Sequence, residues 1–199
     1  MRLLAQFISV IFHPLIIPTL GATFIAYADP IPFRNNLLLS VLALVFTGTY
    51  LLPLISILVL IRLGLVSNHH MPDRQERKWP LRMSLFFSAL TFMALEFLQI
   101  HPILTRLMLG VTMSMWAALW ISKTFKISLH MTAMGGLVAL VLAESILNHS
   151  LFFNEIALAL LIAGSVGSAR LYLQAHDPVE VYSGFFMGFT LIMANLLIF

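Results

Sequence analysis

The thirty residues LLLSVLALVFTGTYLLPLISILVLIRLGLV, 37–66, decide the architecture of this chain. A helix crosses the hydrocarbon of a bilayer in about 20 predominantly apolar residues. The polar backbone groups must bond to one another there, because no water reaches them. At 1.5 Å per residue this stretch makes about 45 Å of helix. It is expected to tilt, to kink near Pro53 or to project past the bilayer. Further apolar segments recur on either side of it, at 3–27, 82–100, 102–122, 127–147, 155–172 and 179–198. The chain is 60% apolar and 10% charged, against about 25% charged for a soluble domain. The expected fold is all-α: a polytopic membrane helix bundle of six or seven transmembrane helices, seven being favoured, in a single integral membrane domain over residues 1–199. Pro14 and Pro18 are expected to bend the first segment. It carries Arg2 at its head and no small-residue cleavage site before Asp29, so it is read as a retained span.

The absence of cysteine excludes disulfides, thiolate catalysis and cysteine metal sites. The net charge of +3 resides in the loops, which reads as membrane topology rather than nucleic-acid binding. With seven spans, the side holding the N-terminus collects Arg2, Arg62, Arg74, Arg77, Lys78, Arg82, Lys123, Lys126 and Arg170, and the other side only Arg34 and Arg106. The positive-inside rule assigns the first side to the cytoplasm. Even numbers of crossings separate the polar stretches near 70–80, 123–130 and 170–180, so all three share that face.

There DRQERKWP (73–80), KISLHM (126–131) and RLYLQAHDPVE (170–180) supply Arg74, Arg77, Lys78, Lys126, Ser128, His130, Arg170, His176, Asp177 and Glu180. Several cations and a hydroxyl suit a phosphate, since guanidinium forks match its oxygens and lysine adds a point charge. Two histidines provide for both halves of phosphomonoester cleavage, one attacking phosphorus and the other protonating the departing alkoxide. A carboxylate on the nucleophile's other ring nitrogen fixes its tautomer. No metal or other cofactor is needed for this scheme.

The pattern resembles the type 2 phosphatidic acid phosphatase superfamily of membrane lipid phosphatases, and more narrowly a divergent bacterial branch at its edge. The third motif of that superfamily, S-R-x5-H-x3-D, corresponds to Ala169-Arg170, five residues, His176, three residues and Glu180. The second, P-S-G-H, corresponds to Ile127-Ser128-Leu129-His130. The first, K-x6-R-P, has its nearest counterpart in DRQERKWP, which is basic and ends in Pro80 at a different spacing. The resemblance covers roughly residues 70–185. It implies a metal-independent phosphatase of the bacterial inner membrane, acting on phosphatidic acid, phosphatidylglycerol phosphate or polyprenyl pyrophosphate. It also implies that His176 takes the phosphoryl group, Glu180 orients His176, and His130 is the general acid. Arg170, Ser128 and one or two of Arg74, Arg77 and Lys78 would hold the phosphate. Leu129 replaces the glycine whose backbone approaches the phosphate, and Glu180 adds a methylene to the aspartate. The charge count puts this site on the cytoplasmic face, whereas the superfamily commonly works from the opposite one.

Other readings stand beside this one. Asp177, Pro178 and Glu180 also spell an N-cap, a proline at the first helical position and the third residue of a capping box. Ser128 also reads as a helix-start residue, Arg170 as a snorkelling cation, and the run 74–78 as a topology signal or a binder of anionic headgroups. His69-His70 lacks an obvious third metal ligand. Gly135, Gly136, Gly164 and Gly167 are read as permitting close helix packing. His13, Glu96 and Glu144 are intramembrane ionisable groups, and Glu144 is expected near the face opposite His130. The alternatives to a hydrolase are a non-catalytic lipid-phosphate binding protein or lipid transporter on the same scaffold, and a proton-coupled transporter using His13, Glu96 and Glu144.

Overall fold

The computed structural model describes residues 1–30, 37–65 and 78–198. Arg74, Arg77 and the His69-His70 pair lie outside the described residues. Among the described residues eight helices run in order: α1 (Arg2–Ile11), α2 (Ile17–Ala28), α3 (Leu37–Arg62), α4 (Lys78–Phe97), α5 (Pro102–Ile121), α6 (Leu129–Leu147), α7 (Phe153–Tyr172) and α8 (Pro178–Leu197). The last six are long and apolar enough to cross a membrane. The chain is an integral multi-pass membrane protein.

The segment expected as a seventh span is divided into helices of 10 and 12 residues. At 1.5 Å per residue neither reaches across about 30 Å of hydrocarbon. The division falls at residues 12–16, where Pro14 withholds an amide, and Pro18 sits in the first turn of α2. The long 37–66 stretch becomes a helix of 26 residues with a π-turn over Thr47–Leu51. Pro53 offers no N–H to the Thr49 carbonyl four residues back. Just ahead of it, the Leu52 N–H reaches five residues back to the Thr47 carbonyl. The disturbance expected near Pro53 takes this form.

Helix α6 is the axis of the bundle: 61% of its span is buried, against 28–39% in the other five. Its closest neighbour is α8. A Cβ on Gly135 would collide with the Phe185 carbonyl, and one on Gly188 with the Thr132 carbonyl. A Cβ on Gly184 would lie 2.6 Å from the Ser128 carbonyl. Helices in lipid gain little from hydrophobic transfer between them, so backbone approach at small residues supplies the contact. Gly164 departs from the packing role expected of it, since nothing lies within 4 Å of where its Cβ would be. Around this axis, α4 packs on α5, α5 on α8, α7 on α6, α1 on α7, and α2 on α6 and α3.

The end of the bundle away from the basic stretches has its own polar contacts. His101, ahead of α5, meets Asp29, after α2, at 3.4 Å. Tyr27 donates to Glu155 at 3.2 Å, and Asn148 donates to the fully buried Glu144 at 2.8 Å. Glu144 therefore lies where it was expected, far along α6 from His130.

Thermal unfolding in detergent should separate two classes of glycine. Gly135→Ala or Gly188→Ala should lose about 1–3 kcal/mol or more through overpacking. Gly164→Ala should unfold at or above the wild-type temperature, because alanine relieves helical glycine's entropy cost. Equal behaviour of all three would refute the close-packed α6–α8 seam.

Candidate active site

Helix α7 ends in a Schellman turn. The Ala175 N–H bonds the Arg170 carbonyl at 3.1 Å and the Gln174 N–H bonds the Leu171 carbonyl at 2.9 Å. Gln174 takes the left-handed conformation, φ 52°, that this turn requires. The reversal carries His176 back toward the bundle, and Asp177 then starts α8 with a full capping box. The Asp177 side chain accepts from the Glu180 amide, and the Glu180 carboxylate accepts from the Asp177 amide.

That carboxylate has a second task. Its Oε2 accepts the Asp177 N–H at 3.3 Å and also the His176 Nδ1–H at 2.7 Å. The cap and the histidine bond thus meet on one oxygen. A carboxylate only accepts, so the His176 proton sits on Nδ1 and the lone pair on Nε2. The His176 and Glu180 side chains are 7% and 13% exposed. Burial holds His176 below the usual imidazole value of 6.5. The bond to Glu180 pulls it upward, and the charges of Arg170 and Lys126 push it down.

His176 lines a cavity of about 250 Å³ that also takes in His13, Lys126, Leu129, His130 and Arg170. The walls also include Leu81, Ser84 and Ser88 of α4, Ile57 of α3, and Val111 and Met115 of α5. His130 donates from Nε2 to the Ser9 carbonyl at 3.1 Å, which leaves its lone pair on Nδ1. Lys126 donates to the Ala175 carbonyl at 2.8 Å, pinning the loop that carries His176.

The structure brings four of the sequence-predicted residues, His176, Glu180, His130 and Arg170, into one end of the bundle. It places Ser128 differently. Its side chain is fully buried, its Oγ has no partner among the described residues, and it is not among the cavity-lining residues. It occupies the N-cap position of α6 without capping through its side chain. Its amide donates to the Glu180 carbonyl at 3.2 Å, so its visible role is to join the starts of α6 and α8. Lys78 lines a separate recess of about 320 Å³ with Arg82, Trp116, Trp120 and Lys123. Lys126 and His13 take places in the cavity that the motif comparison did not give them. For Lys126 the signal was adjacency to Ser128 and His130; for His13 it was an ionisable residue beside a proline inside an apolar run. The cavity includes neither Glu96 nor Glu144, so no polar path joining His13 to them is found there. Among the described residues, no group of three histidines or carboxylates is arranged to hold a metal ion.

Comparison of the chain with models of protein families, with curated proteins and with solved structures found no match in any of the three.

The His176 environment makes a signed prediction for histidine NMR in the detergent-solubilised protein. Its titration midpoint should fall below 6.5. Glu180→Gln should move it lower still, because the bond that favours the cation is weakened. Arg170→Gln should move it up, because a repelling charge is removed. A midpoint indifferent to both changes would mean that neither group acts on His176.

Proposed function

We propose that this protein is a metal-independent lipid phosphate phosphatase with a histidine nucleophile, working at the membrane interface. The observation that carries the reading is the 2.7 Å His176–Glu180 bond at the wall of a cavity shared with His130, Arg170 and Lys126. The resemblance of R-x5-H-x3-E and of the Ser128–His130 spacing to the lipid phosphatase motifs supports it. By that resemblance the protein belongs in a bacterial inner membrane and in phospholipid or polyprenyl phosphate metabolism.

In this reading the lipid enters sideways, its phosphate reaching the histidines while its tails stay among apolar side chains. The His176 Nε2 lone pair attacks phosphorus, a P–N bond forms, and the P–O bond to the lipid alcohol breaks. The electron pair leaves on the alkoxide oxygen, which takes the Nδ1 proton of His130 in its cationic form. The Ser9 carbonyl, bonded to the other nitrogen, steadies the His130 cation that gives up this proton. Arg170 and Lys126 offset charge on the equatorial oxygens. Water then attacks the phosphohistidine, losing its proton to His130, and inorganic phosphate departs. Glu180 keeps His176 in the attacking tautomer and stabilises its positive charge in the intermediate.

A second reading, a non-catalytic lipid-phosphate binder on the same scaffold, is favoured by one feature. Leu129 lines the cavity at the motif position that glycine holds in the enzymes it resembles.

Phosphate release by the purified full chain in detergent, from phosphatidic acid, phosphatidylglycerol phosphate and polyprenyl pyrophosphate, separates the two. The hydrolase should keep its rate in EDTA and lose at least about a thousandfold in His176→Ala. Because the step needs His176 neutral and His130 protonated, the rate should pass through a maximum and fall on both sides of it, with the acid limb below the ordinary histidine value of 6.5. Lipid-phosphate binding with no release by wild type would select the binder, and equal release by wild type and His176→Ala would sink the histidine mechanism.

A further inference from the structure

The division of the first apolar segment has a chemical consequence. It puts His13 in the same cavity as His130, Arg170 and His176. The rings of His13 and His130 meet edge to face with centroids 5.6 Å apart. The Arg170 guanidinium is within electrostatic reach of both. The Leu15 amide donates to His13 Nδ1 across a long 3.4 Å bond, made where Pro14 turns the chain. That contact occupies the Nδ1 lone pair, so the neutral ring carries its hydrogen on Nε2. His130 has the opposite arrangement, with Nε2–H committed to the Ser9 carbonyl and the lone pair on Nδ1. Neighbouring imidazoles thus offer different functions, a fixed N–H donor from His13 and a nitrogen that can take and return a proton from His130.

We propose that His13 is a phosphate-binding residue of this site, its Nε2–H donating to a non-bridging phosphoryl oxygen of a phosphorylated amphiphile beside Arg170 and Lys126. The proposal rests on the phosphate reading of the cavity and deepens it. The bond from Leu15 opposes protonation at Nδ1, so His13 serves as a neutral donor and not as the leaving-group acid. The donor set then combines one neutral N–H with two cations, and it does not depend on Ser128, whose hydroxyl is outside the cavity lining. The same segment supplies the Ser9 carbonyl that orients His130. The N-terminal stretch, which a count of spans treats as one more membrane crossing, is on this account a wall of the site.

Two substitutions separate chemistry from packing. His13→Phe keeps a ring against His130 but has no N–H, whereas His13→Gln places an amide NH₂ near the position of Nε2. Release from phosphatidic acid should fall by about a hundredfold in His13→Phe, the scale of a lost transition-state donor, with His13→Gln recovering at least about a tenth of the wild-type rate. Native mass spectrometry on the His176→Ala background, which cannot turn over, reads binding directly. There His13→Phe should weaken phosphatidic acid about tenfold, a charge-assisted hydrogen bond's worth, and leave diacylglycerol unchanged. Inorganic phosphate, run as competitor, should lose affinity by the same factor, since the contact is to the phosphoryl group. Wild-type behaviour of His13→Phe in both release and binding would overturn the proposal. If wild type binds phosphatidic acid over diacylglycerol but releases nothing, the hydrolase reading fails, and the binding comparison still decides for or against His13. If wild type shows neither release nor phosphate-dependent binding, both readings fall.

Discussion

Glu180 is the joint on which the polar end of this bundle depends. Its Oε2 holds the His176 ring and the Asp177 amide, its own amide bonds the Asp177 side chain, and its carbonyl takes the Ser128 amide. A carboxylate in the first turn of a helix is favoured by the partial positive charge of the unpaired amides there. The residue that closes the capping box of α8 is therefore also the residue that holds His176 and ties the start of α6 to the start of α8. Displacing any one of these connections moves the others. The relative position of the two histidine-bearing segments is set by this backbone bond together with the Lys126 bond to the Ala175 carbonyl.

The joint can be this tight because α6 and α8 lie so close below it. Gly184 lets the α8 backbone approach the Ser128 carbonyl, and Gly135 and Gly188 continue that approach deeper into the bundle. In lipid such a seam is held by dispersion between close surfaces, since apolar burial alone does not distinguish a helix neighbour from an acyl chain. The most enclosed helix and the most constrained residue thus belong to one assembly.

The cavity has two characters. Three histidines, Arg170 and Lys126 line it together with apolar and hydroxyl side chains of α3, α4 and α5. A narrower recess of about 50 Å³ shares Pro14, Pro18, Val111 and Met115 with it and runs on toward Leu140 and Ile192. A compartment with both charged and apolar walls suits the amphiphile with an anionic head proposed for it. The divided N-terminal segment contributes walls of both kinds, through His13 and through Pro14 and Pro18.

The six long helices were legible because lipid leaves a spanning backbone few options, so uninterrupted apolar length translates directly into helix. The pairing of His176 with Glu180 was equally local: four residues apart across a cap, it needs only the start of α8 to form. Parity of crossings brought His130, Arg170 and His176 to one end without any knowledge of packing. What the sequence could not decide was set by contacts between distant segments. Whether 3–27 crosses as one helix depended on what its two halves meet, with α1 lying on α7 and Ser9 reaching His130 across 121 residues. Ser128 kept the spacing of a phosphate ligand, yet the nearness of α8 buries it. Lys78 belongs to the basic run by sequence and to a different recess in space. Chain order dictated which groups arrive at this end of the membrane, because hydrogen-bond satisfaction in lipid is a local demand. Which of them face the cavity was left to tertiary structure, because that depends on how closely one helix backbone can approach another.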